Sequence, residues 1–275
     1  MIAMHNGPVT RTATSVGVIG FGAIGAPVIG ALRDGRIPGC KLSGILTRST
    51  LPDDLGGYAA SSLYDLIDRS DLIVEAAGHT ALDKTGPPVI EGGKDLLVLS
   101  VGALVDDLLY ERLTKDGGGR LLISSGAVGG LDTLVAAMLV APLDSVSLIS
   151  KKLSKLLVRP WMPGDLQVAL SSGESEIEAF SGPAREAVKL FPDSANIAAT
   201  LALATVGFDR LNVTIVGVPH TTEVEHRVTA SGRAGSYEFV FRNRAAEANP
   251  RTSAITPFSV IRALRGLQAR TVVGI

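Results

Sequence analysis

The chain has 275 residues, enough for one large domain or two modest ones. Its 26 basic and 27 acidic residues leave a formal net charge of −1, and no basic stripe marks a nucleic-acid surface. Hydrophobic residues make up 46%, yet no apolar run reaches the roughly 18 residues of a membrane span, and the single cysteine, Cys40, excludes an internal disulfide or a multi-cysteine metal site. These bounds lead us to expect a cytoplasmic enzyme or binding protein for a small molecule, with no nucleic-acid or membrane partner. The apolar surplus reads as a large core plus a homodimer interface. Residues 1–14 hold no long apolar core, and we expect a disordered leader there rather than a signal peptide.

The next segment carries the strongest signal. Val16-Gly17-Val18-Ile19 runs straight into Gly20-Phe21-Gly22-Ala23-Ile24-Gly25 and then into an apolar-periodic stretch reaching about Leu32. That order is strand, tight turn, helix. Gly20 allows the turn, Gly22 lets backbone approach a pyrophosphate, and Gly25 lets the helix pack close to the strand. Ala23 and Ile24 lie between them, where the helix N-terminus offers N–H groups to phosphate. The alternative is a Gly-rich turn in an ordinary α/β protein.

Strands are predicted at 16–19, 42–46, 72–75, 96–99 and 121–124, with helices starting near Ala23, Ser61, Thr80 and Asp106. This alternation predicts a parallel sheet with helices on both faces. A second unit is predicted from about Asp132, which reads as the cap of an apolar helix over 134–140. A strand at 146–151, a charged flexible stretch at 152–173 and an apolar helix at 194–206 follow. Strands are then predicted at 212–216, 223–229 and 237–242, a turn at 249–253 and a last helix at 257–267. The fold class is therefore α/β: a Rossmann-type parallel-sheet domain over 15–132, and a second, smaller α/β domain for substrate and dimerisation over 133–248. A C-terminal helix within 249–275 packs back on the first domain.

Several residues are candidates for chemistry. The second strand ends in Thr47-Arg48-Ser49-Thr50, with no acid for a ribose 2′-hydroxyl. Arg48 with two hydroxyls suits a 2′-phosphate and tilts the choice from NAD to NADP; it also reads as a solvated loop charge or a stacking partner for adenine. Ala77 and Gly78 form a small-residue turn at the end of the third strand, a further cofactor candidate, and His79 follows them. Two small-residue segments, 100–103 and 124–130, follow predicted strands, and their backbone N–H groups, Gly129 included, could hold a carboxylate. Lys151 and Lys152 follow another strand; one could hold a substrate carboxylate, and both could be surface lysines. In 223–228 the alternation puts Val224, His226 and Val228 on one face. His226 reads either as a hydrogen-bonded core histidine or as an acid–base group tuned by burial.

Taken together, these segments resemble the L-aspartate dehydrogenases, NAD(P)-dependent enzymes, over nearly the whole chain. The resemblance rests on 18–25, on Glu75-Ala76-Ala77-Gly78-His79, and on 100–104 and 123–132. It continues through Phe180-Ser181-Gly182-Pro183-Ala184, 191–200 and Asn249-Pro250-Arg251-Thr252-Ser253. It implies that Ala127 and Asn196 contact the cofactor and that His226 is the catalytic histidine. It also implies a reversible oxidative deamination of L-aspartate to iminoaspartate, oxaloacetate and ammonia, with iminoaspartate available to NAD biosynthesis. Val218 and Val224 stand where the family has aspartate and asparagine, and Lys152-Leu153-Ser154 stands where it has K-P-P. The alternatives are a related oxidoreductase acting on another small acid and a non-catalytic NADP(H) sensor.

Overall fold

The computed structural model describes residues 13–115 and 118–271; most of the expected leader, 1–14, lies outside them, and Thr14 already belongs to a strand. Five short apolar runs form the first sheet: β1 (Thr14–Ile19), β2 (Cys40–Leu46), β3 (Leu72–Glu75), β4 (Asp95–Val98) and β5 (Leu121–Ile123). Their order is β2-β1-β3-β4-β5, and every pairing is parallel. β3 and most of β1 are buried, as strands covered on both faces must be. The connections reverse direction between β1 and β3, so the ligand crevice of such a sheet opens beyond the carboxyl ends of those two strands.

Helices α1 (Gly25–Arg33), α2 (Leu63–Arg69), α3 (His79–Glu91) and α4 (Asp107–Thr114) alternate with these strands. Their starts follow local chemistry. The Ser62 hydroxyl accepts the Asp65 N–H (3.1 Å), and the Asp65 carboxylate accepts the Ser61 N–H (2.8 Å). Asp106 accepts from the N–H groups of Leu108 and Leu109. Helix α5 (Leu131–Val140) differs from expectation: its cap position is Gly130 at φ +73°, and Asp132 sits in the first turn, where its charge suits the helix dipole.

The second sheet contains β6 (Leu143–Leu153), β7 (Ile177–Pro183), β8 (Asn212–Val218), β9 (Glu223–Gly232), β10 (Gly235–Ala246) and β11 (Asn249–Ser253). Its order is β11-β10-β9-β6-β8-β7, antiparallel except between β6 and β8. On β9, Val224, His226, Val228 and Ala230 are buried, while Glu225 and Arg227 pair outward with Arg242 and Glu238 of β10.

Helices α6 (Gly164–Ser172), α7 (Ala184–Leu190) and α8 (Asn196–Ala204) pack with this sheet. The expected flexible stretch at 152–173 instead holds the end of β6, a 3-10 turn at Ser154–Leu156 and α6. Only Leu170 of α6 is buried, so its sequence carries a weak helical stripe. The expected turn at 249–253 is the edge strand β11, where Pro250 is tolerated because an edge leaves N–H groups unpaired. The last helix, α9 (Thr256–Gln268), buries Val260, Ile261 and Leu264 in the same core as Val28 and Ile29 of α1.

Candidate active site

At the carboxyl edge of the parallel sheet the three glycines hold three different environments. Gly20 has φ +104°, and a Cβ there would stand 2.6 Å from the Ala76 carbonyl oxygen. A Cβ on Gly25 would meet the Gly20 carbonyl oxygen at 2.2 Å, so helix and turn touch backbone to backbone. A Cβ on Gly22 would meet nothing within 4 Å. No side chain caps α1, and of its first residues Ala26 donates to the Gly22 carbonyl (3.0 Å) while Pro27 has no N–H to satisfy. Close packing below, room above and an uncapped helix start fit a pyrophosphate.

Glu75 ties the ends of β3 and β4 together. Its fully buried carboxylate accepts from Ala77 N–H (2.7 Å), Gly78 N–H (3.0 Å), Ser100 N–H (3.1 Å) and the Ser100 hydroxyl (2.9 Å). Burial pushes its pKa up, and these donors pull against that shift. The turn bearing Ala77 and Gly78 is thereby fixed to the loop after β4. Arg48 stands exposed just beyond β2, at the edge where an adenosine ribose lies in this fold.

A cleft of about 590 Å³ of empty volume, partly open to solvent, lies where this edge meets the second sheet. Ile24, Ala127, Asn196, Lys152, Val224 and His226 all line it. Asn196 is oriented by two donors: Gly102 N–H (2.9 Å) and the His79 ring (3.0 Å) both reach its Oδ1. The backbone donor identifies that atom as the oxygen, so His79 carries its proton on Nε2 and the Asn196 NH₂ group is left for the cleft.

His226 is 2% exposed, and its Nδ1 lies 2.9 Å from the Ser150 hydroxyl, the register partner across β6 and β9. Nε2 remains for the cleft. Burial, and then the charge of Lys152, push the His226 pKa down to about 3. Lys152, also buried, donates to the carbonyls of Ser194 (3.1 Å) and Arg251 (3.4 Å). Burial and then Arg159 push its pKa down to about 8, against an opposing pull from Asp193. The cleft thus joins a neutral imidazole to an ammonium that has few anionic neighbours.

Sequence-selected residues therefore fall into two neighbouring groups. Gly20, Gly22, Ala23, Gly25, Arg48, Ala77 and Gly78 lie at the sheet edge, and Ile24, Ala127, Asn196, Lys152 and His226 line the cleft. Gly129 does not join them: a Cβ there would meet the Phe241 ring at 3.1 Å, so its small size serves packing against β10. Lys151 instead pairs with Glu176 at the surface. Sequence reasoning assigned no part to Ser150, Ser194 or Arg251. Ser150 carried a signal, since it precedes Lys152 by two residues on one strand and so shares its face; the others come from loops and an edge strand.

Known proteins extend this picture. Residues 20–117 match the homoserine dehydrogenase NAD-binding domain family, and residues 132–267 match the aspartate dehydrogenase C-terminal family. The first sheet is thus an NAD-binding domain. An L-aspartate dehydrogenase of Pseudomonas aeruginosa is 37% identical over 260 residues, covering 90% of this chain and 95% of that protein. Another, from Ralstonia nicotianae, is 43% identical over 202 residues, covering 72% and 74%. The crystal structure of aspartate dehydrogenase from Thermotoga maritima superposes with a TM-score of 0.71 at 25% identity, covering 94% of this chain and 99% of that one. By sequence along nearly its whole length, and by the pairing of these two domains, the chain belongs to the L-aspartate dehydrogenase family.

Proposed function

We infer that the protein catalyses the reversible NAD(P)-dependent oxidative deamination of L-aspartate to oxaloacetate and ammonia through iminoaspartate. The observation that carries this reading is His226, a buried neutral imidazole in the cleft that adjoins the cofactor edge, two strand positions from the buried ammonium of Lys152. When bound, the nicotinamide supplies the acceptor for the hydride leaving the substrate Cα. The chain's own residues bind, orient and move protons. Lys152 holds a substrate carboxylate, with the backbone at Gly126 and Ala127 as the candidate for the other. The Asn196 NH₂ group and Ala127 orient the nicotinamide side of the cleft. Val224, 3% exposed, keeps the wall beside His226 apolar.

After hydride transfer, His226 Nε2 takes a proton from the water attacking the imine carbon and returns one to the departing ammonia. In the empty cleft its basicity is too low for that work. A dianionic substrate beside Lys152 offsets the smaller of the two causes, the Lys152 charge, and so raises the imidazole basicity, while burial, the larger cause, continues to oppose it.

Arg48, exposed beyond β2 with no acid beside it in 47–50, supports NADP over NAD. The exposed Leu139 and Val140 of α5 support a homodimer. No helix among the described residues is long and apolar enough to cross a membrane, which agrees with a cytoplasmic enzyme.

The test is NAD(P)H absorbance with purified protein, oxaloacetate and ammonia, run with each cofactor. Oxidation requiring both co-substrates is expected, faster with NADPH. Cofactor binding without oxidation would replace this reading with a sensor or another substrate.

A further inference from the structure

Beside the cofactor edge, His79, Gly102 and Asn196 tie the two sheet domains together. His79 opens α3 and Gly102 lies in the 3-10 turn Val101–Val105, both in the first domain; Asn196 opens α8 in the second. The Gly102 N–H (2.9 Å) and the His79 Nε2 (3.0 Å) converge on Asn196 Oδ1. The approach is close enough to demand glycine: a Cβ on Gly102 would stand 2.6 Å from His79 Cε1 and 3.0 Å from Asn196 Oδ1. Apolar packing brings these groups together, since Val101 and Leu104 of the turn share a core with Ala198 and Leu201 of α8. The backbone before His79 is tied down as well. Gly78 N–H lies 3.0 Å from both the Glu75 carboxylate and the Ser100 hydroxyl, and that hydroxyl donates to Glu75 (2.9 Å).

Two donors on one carbonyl oxygen decide what the rest of the amide does. A single hydrogen bond to such an oxygen tolerates a broad range of directions, so the amide plane can swing about it. The Gly102 N–H settles which end of the Asn196 amide is oxygen, and the His79 ring, as a second donor, settles the plane. The NH₂ group is then held toward the cleft, which Asn196 lines together with Ile24 and Ala127. A donor fixed before its ligand arrives loses little freedom on binding.

We propose that His79 is a positioning residue for the cofactor. Its Nε2–H holds the Asn196 amide so that the NH₂ group meets an acceptor on the nicotinamide half of NAD(P)H, and the same bond keeps the second domain docked on the turn that follows β3. The assignment rests on the dehydrogenase reading above and adds to it a residue that acts through another rather than on the reacting atoms.

The experiment uses the full chain as wild type, His79→Leu, His79→Asn, His79→Gln, Asn196→Ala and His79→Leu/Asn196→Ala, each with its melting temperature measured. Fluorescence titration reads NADPH binding without turnover, and kinetics with oxaloacetate and ammonia read kcat and KM. His79→Leu removes the donor and should weaken NADPH binding by about tenfold and lower kcat by a similar factor, with the oxaloacetate KM unchanged. Glutamine and asparagine both carry an amide donor and differ by one methylene. His79→Gln should therefore recover most of the affinity, and His79→Asn, too short to reach Asn196, should not. Because His79 works through Asn196, the double variant should bind NADPH as Asn196→Ala alone does. His79→Asn carries the test if His79→Leu does not fold. Unchanged NADPH affinity in His79→Leu and His79→Asn, or losses that add in full in the double variant, would overturn the positioning role and leave the dehydrogenase in place. Affinities that follow His79 and Asn196 in this way, in a protein that oxidises no NADPH, would support the positioning role and sink the dehydrogenase reading instead.

Discussion

Replacing Lys152 by methionine should make the protein more stable and a worse enzyme. The ammonium is 5% exposed, and burial lowers its pKa from 10.5 to about 8. That difference corresponds to about 3 kcal/mol of folding free energy lost at neutral pH. Methionine removes this cost but leaves the Ser194 and Arg251 carbonyls without a donor, at about 1 kcal/mol each. The net gain is about 1 kcal/mol, a rise of about 2–4 °C in melting temperature for a chain of this size.

The pH dependence is more diagnostic than the absolute shift. Between pH 8 and about 10.4 the unfolded chain keeps the Lys152 proton that the folded chain has lost, so wild-type stability rises with pH across that window. Below pH 8 both states are charged and the cost stays constant. The variant lacks this contribution, so its advantage should shrink from pH 8 to 10 in paired thermal melts, where the other lysines cancel. A variant less stable than wild type at pH 7, or an advantage independent of pH, would refute the account of Lys152 as a charge held at a cost for substrate. In kinetics the same variant should raise the oxaloacetate KM by at least about tenfold.

The glycine turn makes a paired prediction. Gly22→Ala should melt like wild type but lose cofactor affinity in titration, because its methyl enters the open space that we assign to the pyrophosphate, whereas Gly25→Ala, driven 2.2 Å from the Gly20 oxygen, should lose both fold stability and binding. Arg48→Asp should reverse cofactor preference, by about tenfold or more in the NADPH-to-NADH ratio of kcat/KM; an unchanged ratio would remove Arg48 from 2′-phosphate recognition. His226→Ala should lower kcat by about a hundredfold or more with cofactor affinity kept, and Ser150→Ala should lower it less, by about tenfold, while moving the pH profile. In the ligand-free protein the His226 ring should stay neutral down to about pH 4 by NMR. The unfolded chain takes this proton near pH 6.5 and the folded chain near 3, so His226 makes stability fall as pH drops through that interval.

What the sequence disclosed follows from the range of the interactions involved. The Gly-rich turn was legible because its three tasks are settled within six residues, each by backbone geometry. The inward face of β9 was legible because alternation is a local property of an extended strand, and it put His226 beside Val224 and Val228 before any partner was known. Whether that histidine was a core residue or an acid–base group could not be read from alternation. The answer depends on which atom meets its ring, and Ser150 arrives 76 residues away through the β6–β9 register.

The same limit explains the missed strands. β11 pairs through only two residue pairs at a sheet edge, and β7, also at an edge, ends in Gly182-Pro183, a pattern that reads locally as a turn. It explains Glu75 as well, whose meaning lies in a hydroxyl and an amide 25 residues on. The surroundings of Lys152 are the extreme case. Ser194 and Ser253 lie in segments that carry the family resemblance, but nothing local shows that the approach to α8 and the end of β11 meet at Lys152. Only the completed fold shows that Ser194 and Ser253, whose hydroxyls lack partners among the described residues, line the same cleft as Lys152. A group that folding leaves unpaired, around a lysine that folding makes costly, is better explained by a ligand than by stability, which is why the predicted gain in stability and loss of substrate binding in Lys152→Met should appear together.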